Sequence, residues 1–310
     1  MDMFRNHPFY RVHNIDSAMN YLWEFYRRNF LPLFLMSFAM SLVIQYSSTF
    51  IDLKDIQSET DPLVIIEKMK VFFVPMLIIS LINLLFTTIL QHYIIHKPVD
   101  DRTSILSSVL MSLRYFVPYL IIVIMLSVTG TLAIALGLLA LLIGAFFAII
   151  YVIMLYLFIL PVMMVEETDI SRTISRVFSL AHRNFWANFG WVATFLILII
   201  VISVVLSGLA LLPFAGSFFK TLSNPEDAAA AVNLAKNPVF FFITALVNAL
   251  TVPLLPIFAS ILYFNAKARE EEKESDYQPG KEEARVKVED LYSKPYSDDH
   301  PDNPERKEML

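Results

Sequence analysis

The chain has 310 residues, of which 56% are hydrophobic and 17% charged, with a formal net charge of −5 at neutral pH. It contains no cysteine, which excludes disulfides, iron–sulfur clusters and cysteine nucleophiles. Its basic residues are too few and too scattered for a nucleic-acid surface, and its apolar residues fall in long blocks, the mark of an integral membrane protein.

Residues 1–29 carry Arg5, Arg11, Arg27 and Arg28 and no apolar block. No removable signal peptide is expected, and the first span serves as its own insertion signal. A helix crossing a bilayer needs about 20 mostly apolar residues. Stretches 30–50, 72–95, 186–212 and 239–264 each satisfy that. No residue between Arg114 and Glu166 is charged, and this stretch is too long for one span. It predicts two helices joined by a tight turn within Ser127–Gly137. The expectation is an all-α integral membrane protein with six transmembrane helices. Lys and Arg gather in the first segment, after span two (Lys97, Arg102, Arg114), after span four (Arg172, Arg176, Arg183) and at the start of the tail (Lys267, Arg269). Because cytoplasmic loops are enriched in these residues, both termini are expected in the cytoplasm.

Three of these basic segments share an internal order. Each ends in an Arg followed by aromatic residues: Arg28 with Phe30, Arg114 with Phe116, Arg183 with Phe185 and Trp186. Fourteen positions before each Arg stands Asn14, Asp100 or Asp169. Such side chains cap a first helical turn by accepting its unsatisfied N–H groups. Apolar positions then recur at helical spacing: Met19, Leu22, Trp23 and Tyr26 in the first copy, Ile174, Val177, Phe178 and Ala181 in the third, with a poorer set (Ile105, Ser108, Val109, Ser112) in the second. The pattern predicts helices lying in the headgroup layer, the Arg side chains reaching for anionic lipid headgroups and the aromatics resting at the interface. Pro32 and Pro118 would bend the chain into the bilayer, with Ala187 at the matching place in the third copy. The architecture expected is three units, each an amphipathic interfacial helix plus a helical hairpin, starting near residues 14, 100 and 169.

Asp61-Pro62 and Asn224-Pro225 read as starts of short outer helices, the second ending at Asn237-Pro238. The membrane domain is expected over 1–267. From Ala268 onward there are 14 acidic and 8 basic residues, so the net negative charge belongs to this tail. Nearly devoid of aliphatic residues, 268–310 is expected to be a disordered cytoplasmic tail able to receive a soluble protein partner.

The span interiors contain no Asp, Glu, Lys or Arg, which argues against a proton-coupled carrier. Asn83 and Asn248 are the conspicuous polar groups there, and each is expected to hydrogen-bond a neighbouring helix or to line a path. His92 and His96, four apart, are weak metal candidates, with Asp100 at the same interval beyond Pro98; an ordinary interfacial pair is favoured over a metal site. No glycine-rich phosphate loop, GxSxG or HExxH occurs, so neither catalytic residues nor a cofactor is expected. Glu166-Glu167, Arg172, Phe178 and His182 bear a faint likeness to intramembrane CAAX-type proteases. Here the Arg spacing is one residue too long, and Phe178 and His182 share one amphipathic segment. Glu166, Glu167 and Asp169 read better as a helix start.

The strings Leu160-Pro161-Val162-Met163-Met164-Val165-Glu166-Glu167 and Ser179-Leu180-Ala181-His182-Arg183-Asn184-Phe185-Trp186 resemble a group of bacterial six-helix membrane proteins. That group includes the membrane domain attached to some glycerophosphodiester phosphodiesterases and stand-alone relatives. The resemblance implies a multi-pass protein of the bacterial cytoplasmic (inner) membrane. It does not bring the phosphodiesterase activity, because the soluble domain and its metal-binding residues are missing from this sequence. The leading expectation is a non-enzymatic scaffold or accessory subunit of a membrane complex. The alternative is a lipid or small-amphiphile transporter, and the remote one an intramembrane hydrolase.

Overall fold

A computed structural model describes residues 2–48, 62–216 and 237–276. All regular structure among them is helical: α1 (Ile15–Arg28), α2 (Phe30–Ser48), α3 (Pro62–His96), α4 (Ile105–Leu139), α5 (Leu141–Glu166), α6 (Ile170–Arg183), α7 (Phe185–Leu211), α8 (Pro238–Thr251) and α9 (Leu254–Asp276), with short 3-10 turns at Asp2–Asn6 and Leu212–Phe214. Six stretches are long and apolar enough to cross a membrane, the sixth being α8 and α9 together. Two units are distinguished, Met1–Arg269 and Glu270–Leu310. Helix α9 continues to Asp276, beyond the expected start of the tail at Ala268; the rest of the tail, Asp61 and Asn224-Pro225 lie outside the described residues. Pro62 opens α3 itself, so what reads as a short outer helix is the first turn of span two.

The first and third basic segments fold as their sequences predict. Asn14 Oδ1 accepts from Ser17 N–H at 2.8 Å, and Asp169 Oδ1 accepts from Arg172 N–H at 2.8 Å, so both are N-caps. Each amphipathic helix then breaks before its span, α1 at Asn29 and α6 at Asn184. The second segment departs from the pattern. Asp100 caps no helix; its carboxylate accepts from Arg102 N–H in a turn, and Ser104 caps α4 through a reciprocal bond with Ser107. No break follows Arg114, and α4 runs through Pro118 as one helix. Its buried positions, Ser108, Ser112, Tyr115, Tyr119 and Ile122, stay on one face across the junction, so a single helix keeps them all covered. Proline therefore does not set the bends. The two segments that break carry Asn after the Arg, whereas the continuous one carries Tyr115. Asn29 Nδ2 donates to Phe25 O at 3.0 Å, and Asn188 Nδ2 donates to Leu180 O and Ala181 O at 3.1 and 3.2 Å. The Asn188 amide thus supplies carbonyls that the end of α6 leaves without partners, while Phe25 O accepts from Asn29 N–H as well as from its side chain.

Both amphipathic helices pack one face against the rest of the protein. Helix α1 buries Ala18, Leu22, Phe25 and Tyr26, and α6 buries Thr173, Val177, Leu180 and Ala181. The apolar stripe is thus turned onto the bundle, which leaves Trp23 and Phe178 exposed. Helices α4 and α5 turn at Ala140, three residues past the expected window, where Gly137 and Gly144 bring the two backbones together.

The core lies in the second half of α5 and the facing part of α9. Met154, Phe158 and Val162 are fully buried, as are Ile257, Phe258, Ile261 and Phe264. Phe195 of α7 stacks flat on Phe258, ring centroids 4.0 Å apart. The sixth span is not the single helix its sequence predicts. It breaks at Val252–Pro253, because Pro253 has no N–H to continue the ladder.

Candidate functional site

One end of the bundle gathers α1, α6, the N-terminal segment, the C-terminal ends of α3 and α5, and residues 263–269 of α9. Here Arg176 Nε lies 3.0 Å from both oxygens of Glu166, and Tyr263 OH donates to Glu166 Oε1 at 3.0 Å. The Glu166 side chain is 9% exposed and that of Arg176 20%. Glu166 closes α5, Arg176 sits mid-way along α6 and Tyr263 belongs to α9, so this group pins the amphipathic helix to two spans. The turn between them is made by Glu167, at φ 48° the one left-handed non-glycine residue among those described. The helix start expected at Glu166, Glu167 and Asp169 is met by Asp169 alone: Glu166 ends α5 and Glu167 is its C-cap, while Arg172 lies beside Asp169 at 3.6 Å on the exposed side. Arg176 stands one helical turn further on, which is the signal that was available.

The N-terminal segment is tied to the same end. His13 N–H donates to Asn265 Oδ1 at 2.8 Å, and Arg269 Nη2 donates to His13 O at 3.0 Å. The His7 ring stacks on Phe264 at 4.3 Å. Burial pushes the His7 imidazole down to about 3, with nearby His96 acting in the same direction, and burial lowers His13 as well. A released segment therefore binds protons more readily than a docked one between about pH 6.5 and 3. Docking is fully stabilised above pH 6.5 and weakens as the pH falls through that window. Hydrogen exchange of residues 2–13 should accelerate from pH 7.5 to pH 5 after correction for the intrinsic rate, and His7→Leu should remove most of that acceleration.

His92 and His96 stack face to face at 4.0 Å, and His96 Nδ1 lies 3.0 Å from His92 O. Helix α3 ends at His96, so Asp100 does not continue that face. Among the described residues no three His, Cys, Asp or Glu side chains form a group that could hold a metal. The interfacial residues are placed as follows. Arg28, Phe30, Arg114, Arg183 and Trp186 are exposed, whereas Phe116 and Phe185 are half-buried. Arg114 approaches Glu167 at 3.7 Å, both well exposed.

The structure brings Asn83 and Asn248 together. Both line one cavity of about 480 Å³ between α2, α3, α5, α7 and the α8–α9 break, and neither side chain bonds a neighbouring helix among the described residues. Ser41, Thr87, Tyr156, Ser203 and Thr251 also line it, while no charged residue does. The break of the sixth span forms part of the wall. At the break Tyr26 OH donates to Leu250 O at 3.0 Å, and just beyond it Gln91 Nε2 of α3 donates to Pro256 O at 3.2 Å. Irregular backbone at membrane depth persists only where protein covers it or where it lines a cavity. Pro253 and Pro256, three apart in an otherwise apolar run, were the sequence signal for this break. A second cavity, about 330 Å³ between α4, α5 and α6, is lined almost wholly by hydrocarbon. It accepts a bilayer chain without selecting one, so the polar-walled cavity is the better candidate site.

The family model for the membrane domain of glycerophosphoryl diester phosphodiesterase matches residues 129–291, just over half of the chain. No curated protein and no solved structure matches the chain.

Proposed function

We propose, on the premise that this chain belongs to the family of the glycerophosphoryl diester phosphodiesterase membrane domain, that it is a non-enzymatic multi-pass protein that binds, and passes across or along the membrane, a small uncharged amphiphile. The observation that carries this reading is the polar-walled, charge-free cavity shared by Asn83 and Asn248 beside the broken sixth span. Hydroxyl and amide groups in a low-dielectric wall reward a ligand that pairs with them, and a charged group placed there without a counter-ion would cost far more than it gains. Its volume of about 480 Å³ suits a headgroup with part of a chain. A discontinuous spanning helix beside a binding site is a recurrent transporter device. The family's name concerns glycerophosphoryl diesters, which supports a glycerol-bearing ligand; the neutral walls favour the glycerol part over the phosphate. The distribution of Lys and Arg supports both termini inside, and the resemblance to bacterial six-helix membrane proteins supports a bacterial cytoplasmic membrane setting.

The test is mild-detergent purification followed by mass spectrometry of everything retained. One uncharged lipid class should travel with the protein. Replacing Asn83 and Asn248 together by Leu should lower that lipid by about tenfold or more, the loss of one or two hydrogen bonds. Unchanged lipid in the double variant would sink the cavity reading. A stoichiometric protein partner with no lipid would instead favour a scaffold or accessory subunit.

A further inference from the structure

Helix α4 carries an apolar line that stays exposed along its whole length. Leu106, Leu110, Leu113 and Val117, between 50% and 70% exposed, follow one another at intervals of four, three and four residues, the spacing of one helical face. The pattern repeats to Leu139, and every position on it is apolar and exposed. An 11-residue repeat departs little from a straight α-helix, so the line runs along one side of α4 from end to end. At 1.5 Å per residue it is about 50 Å long. The hydrocarbon core of a bilayer is about 30 Å thick. Tilt does not close the gap. Spanning helices lean by about 0–40°, and even at 40° about 10 Å of the line, two helical turns, is left outside the hydrocarbon.

The surplus lies at the N-terminal end of α4. Arg114 and Glu167, 3.7 Å apart and both well exposed, mark a level that water or headgroups reach. Leu106, Leu110 and Leu113 stand beyond that pair, away from the long uncharged stretch and up to about 12 Å past Arg114 along the helix. Apolar side chains arrayed there form a docking face that lipid chains do not cover. Its occupant must offer an apolar line of the same length, with the surplus at the same depth. A second α4 does so by construction. Two copies of one chain share one orientation in a membrane, so a two-fold axis along the membrane normal sets their α4 helices parallel and brings like-numbered residues together. Arg114 stands at one edge of the line, and in a parallel pair the two arginines fall on opposite sides of the seam, so like charges do not meet. A strip about 10 Å wide and about 50 Å long covers about 500 Å² of each copy, or about 1,000 Å² in all, the least that a specific interface needs. We propose that the chain forms a parallel two-fold dimer through α4. Leu106, Leu110 and Leu113 supply the part of the seam that water drives together, and the part in lipid gains from close packing alone.

The chain has no cysteine, so single cysteines report on the seam without background. Leu106→Cys, Leu110→Cys and Leu113→Cys are placed one at a time in the full chain and oxidised in isolated membranes. The best of them should link more than about half of the protein as a disulfide dimer, since facing positions come within the Cα separation of about 7 Å that a disulfide spans. Met111→Cys, as exposed as Leu110 but turned about 100° from it around the helix, should link about fivefold less. Light scattering in mild detergent should find wild type dimeric and the double variant Leu106→Glu with Leu110→Glu monomeric. Its thermal unfolding should match that of the Met111→Cys monomer fraction, because neither leucine is buried within one copy. A monomeric wild type with no linking at the three leucine positions overturns the dimer. Equal linking at Met111→Cys and Leu110→Cys overturns the seam, and so does a double variant that stays dimeric. Links to a different protein overturn the choice of a second copy as occupant. Should the double variant not fold, the cysteine pattern decides alone.

Discussion

Glu166→Ala is expected to destabilise the folded protein by about 3 kcal/mol or more, the cost of removing one partner from a buried ion pair. The pair is close to ideal in form, with Arg176 Nε 3.0 Å from each carboxylate oxygen, and both side chains largely hidden. Removing the carboxylate leaves the guanidinium in a poorly solvated place and takes from Tyr263 the acceptor of its hydroxyl. Tyr263→Phe removes one hydrogen bond and should cost about 1 kcal/mol. The informative variant is the pair Glu166→Met with Arg176→Met. Replacing both charges by apolar groups removes the desolvation burden as well as the attraction, so this double variant should be more stable than Glu166→Ala alone. Thermal unfolding in mild detergent measures all four proteins. Glu166→Ala within about 0.5 kcal/mol of wild type, the range of ordinary surface changes, would show that the group does not pin α6 to the spans.

Much of the fold is legible because bilayer spanning is a matter of length and composition, which a sequence displays directly. The six spans follow from that alone. The caps Asn14 and Asp169 are legible for a local reason, since each bonds an N–H three residues away. What escaped is non-local. At the end of α6 the break is met by Asn188, whose amide reaches back to Leu180 O and Ala181 O, and in α4 the helix continues because one face must stay covered. The apolar stripes of α1 and α6 were read correctly as stripes, but a stripe does not say whether lipid or protein covers it. Tertiary packing turned both onto the bundle.

The site divides the same way. Asn83 and Asn248 stood out as polar groups in apolar spans, but their meeting in one cavity depends on how α3 packs beside the sixth span. The ion pair of Glu166 with Arg176 was not legible, because Glu166 reads as part of a helix start while it in fact closes α5. The left-handed Glu167 reverses the chain, so the second Arg of α6, not the first, reaches back to the end of α5.

Gly137→Val should be the most damaging glycine substitution among those described, with Gly144→Val close to it. A Cβ at Gly137 would lie 2.6 Å from Gly144 O, and one at Gly144 would lie 2.5 Å from Gly137 O. The obstacle in both cases is backbone, which cannot swing aside as a side chain can, so the helices must separate. Membrane helices rely on such close approach because lipid offers no hydrophobic drive to hold them together. Overpacking ordinarily costs about 1–3 kcal/mol, and a backbone clash belongs at the top of that range or above it. Gly130 is the graded control: its Cβ would meet Val152 Cγ1 at 3.0 Å, a side chain that can adjust, so Gly130→Ala should be milder. Gly208 is the open control, with nothing within 4 Å, and Gly208→Ala should be neutral or slightly stabilising, since alanine favours helix over glycine by about 1 kcal/mol. Thermal unfolding and the monodisperse yield after extraction read out the series. Gly137→Ala as stable as Gly208→Ala would mean that the α4–α5 turn is looser than described. The order Gly137 and Gly144 worst, Gly130 intermediate and Gly208 unaffected would tie the hairpin to two glycines whose spacing, three before and four after Ala140, places them face to face across the turn.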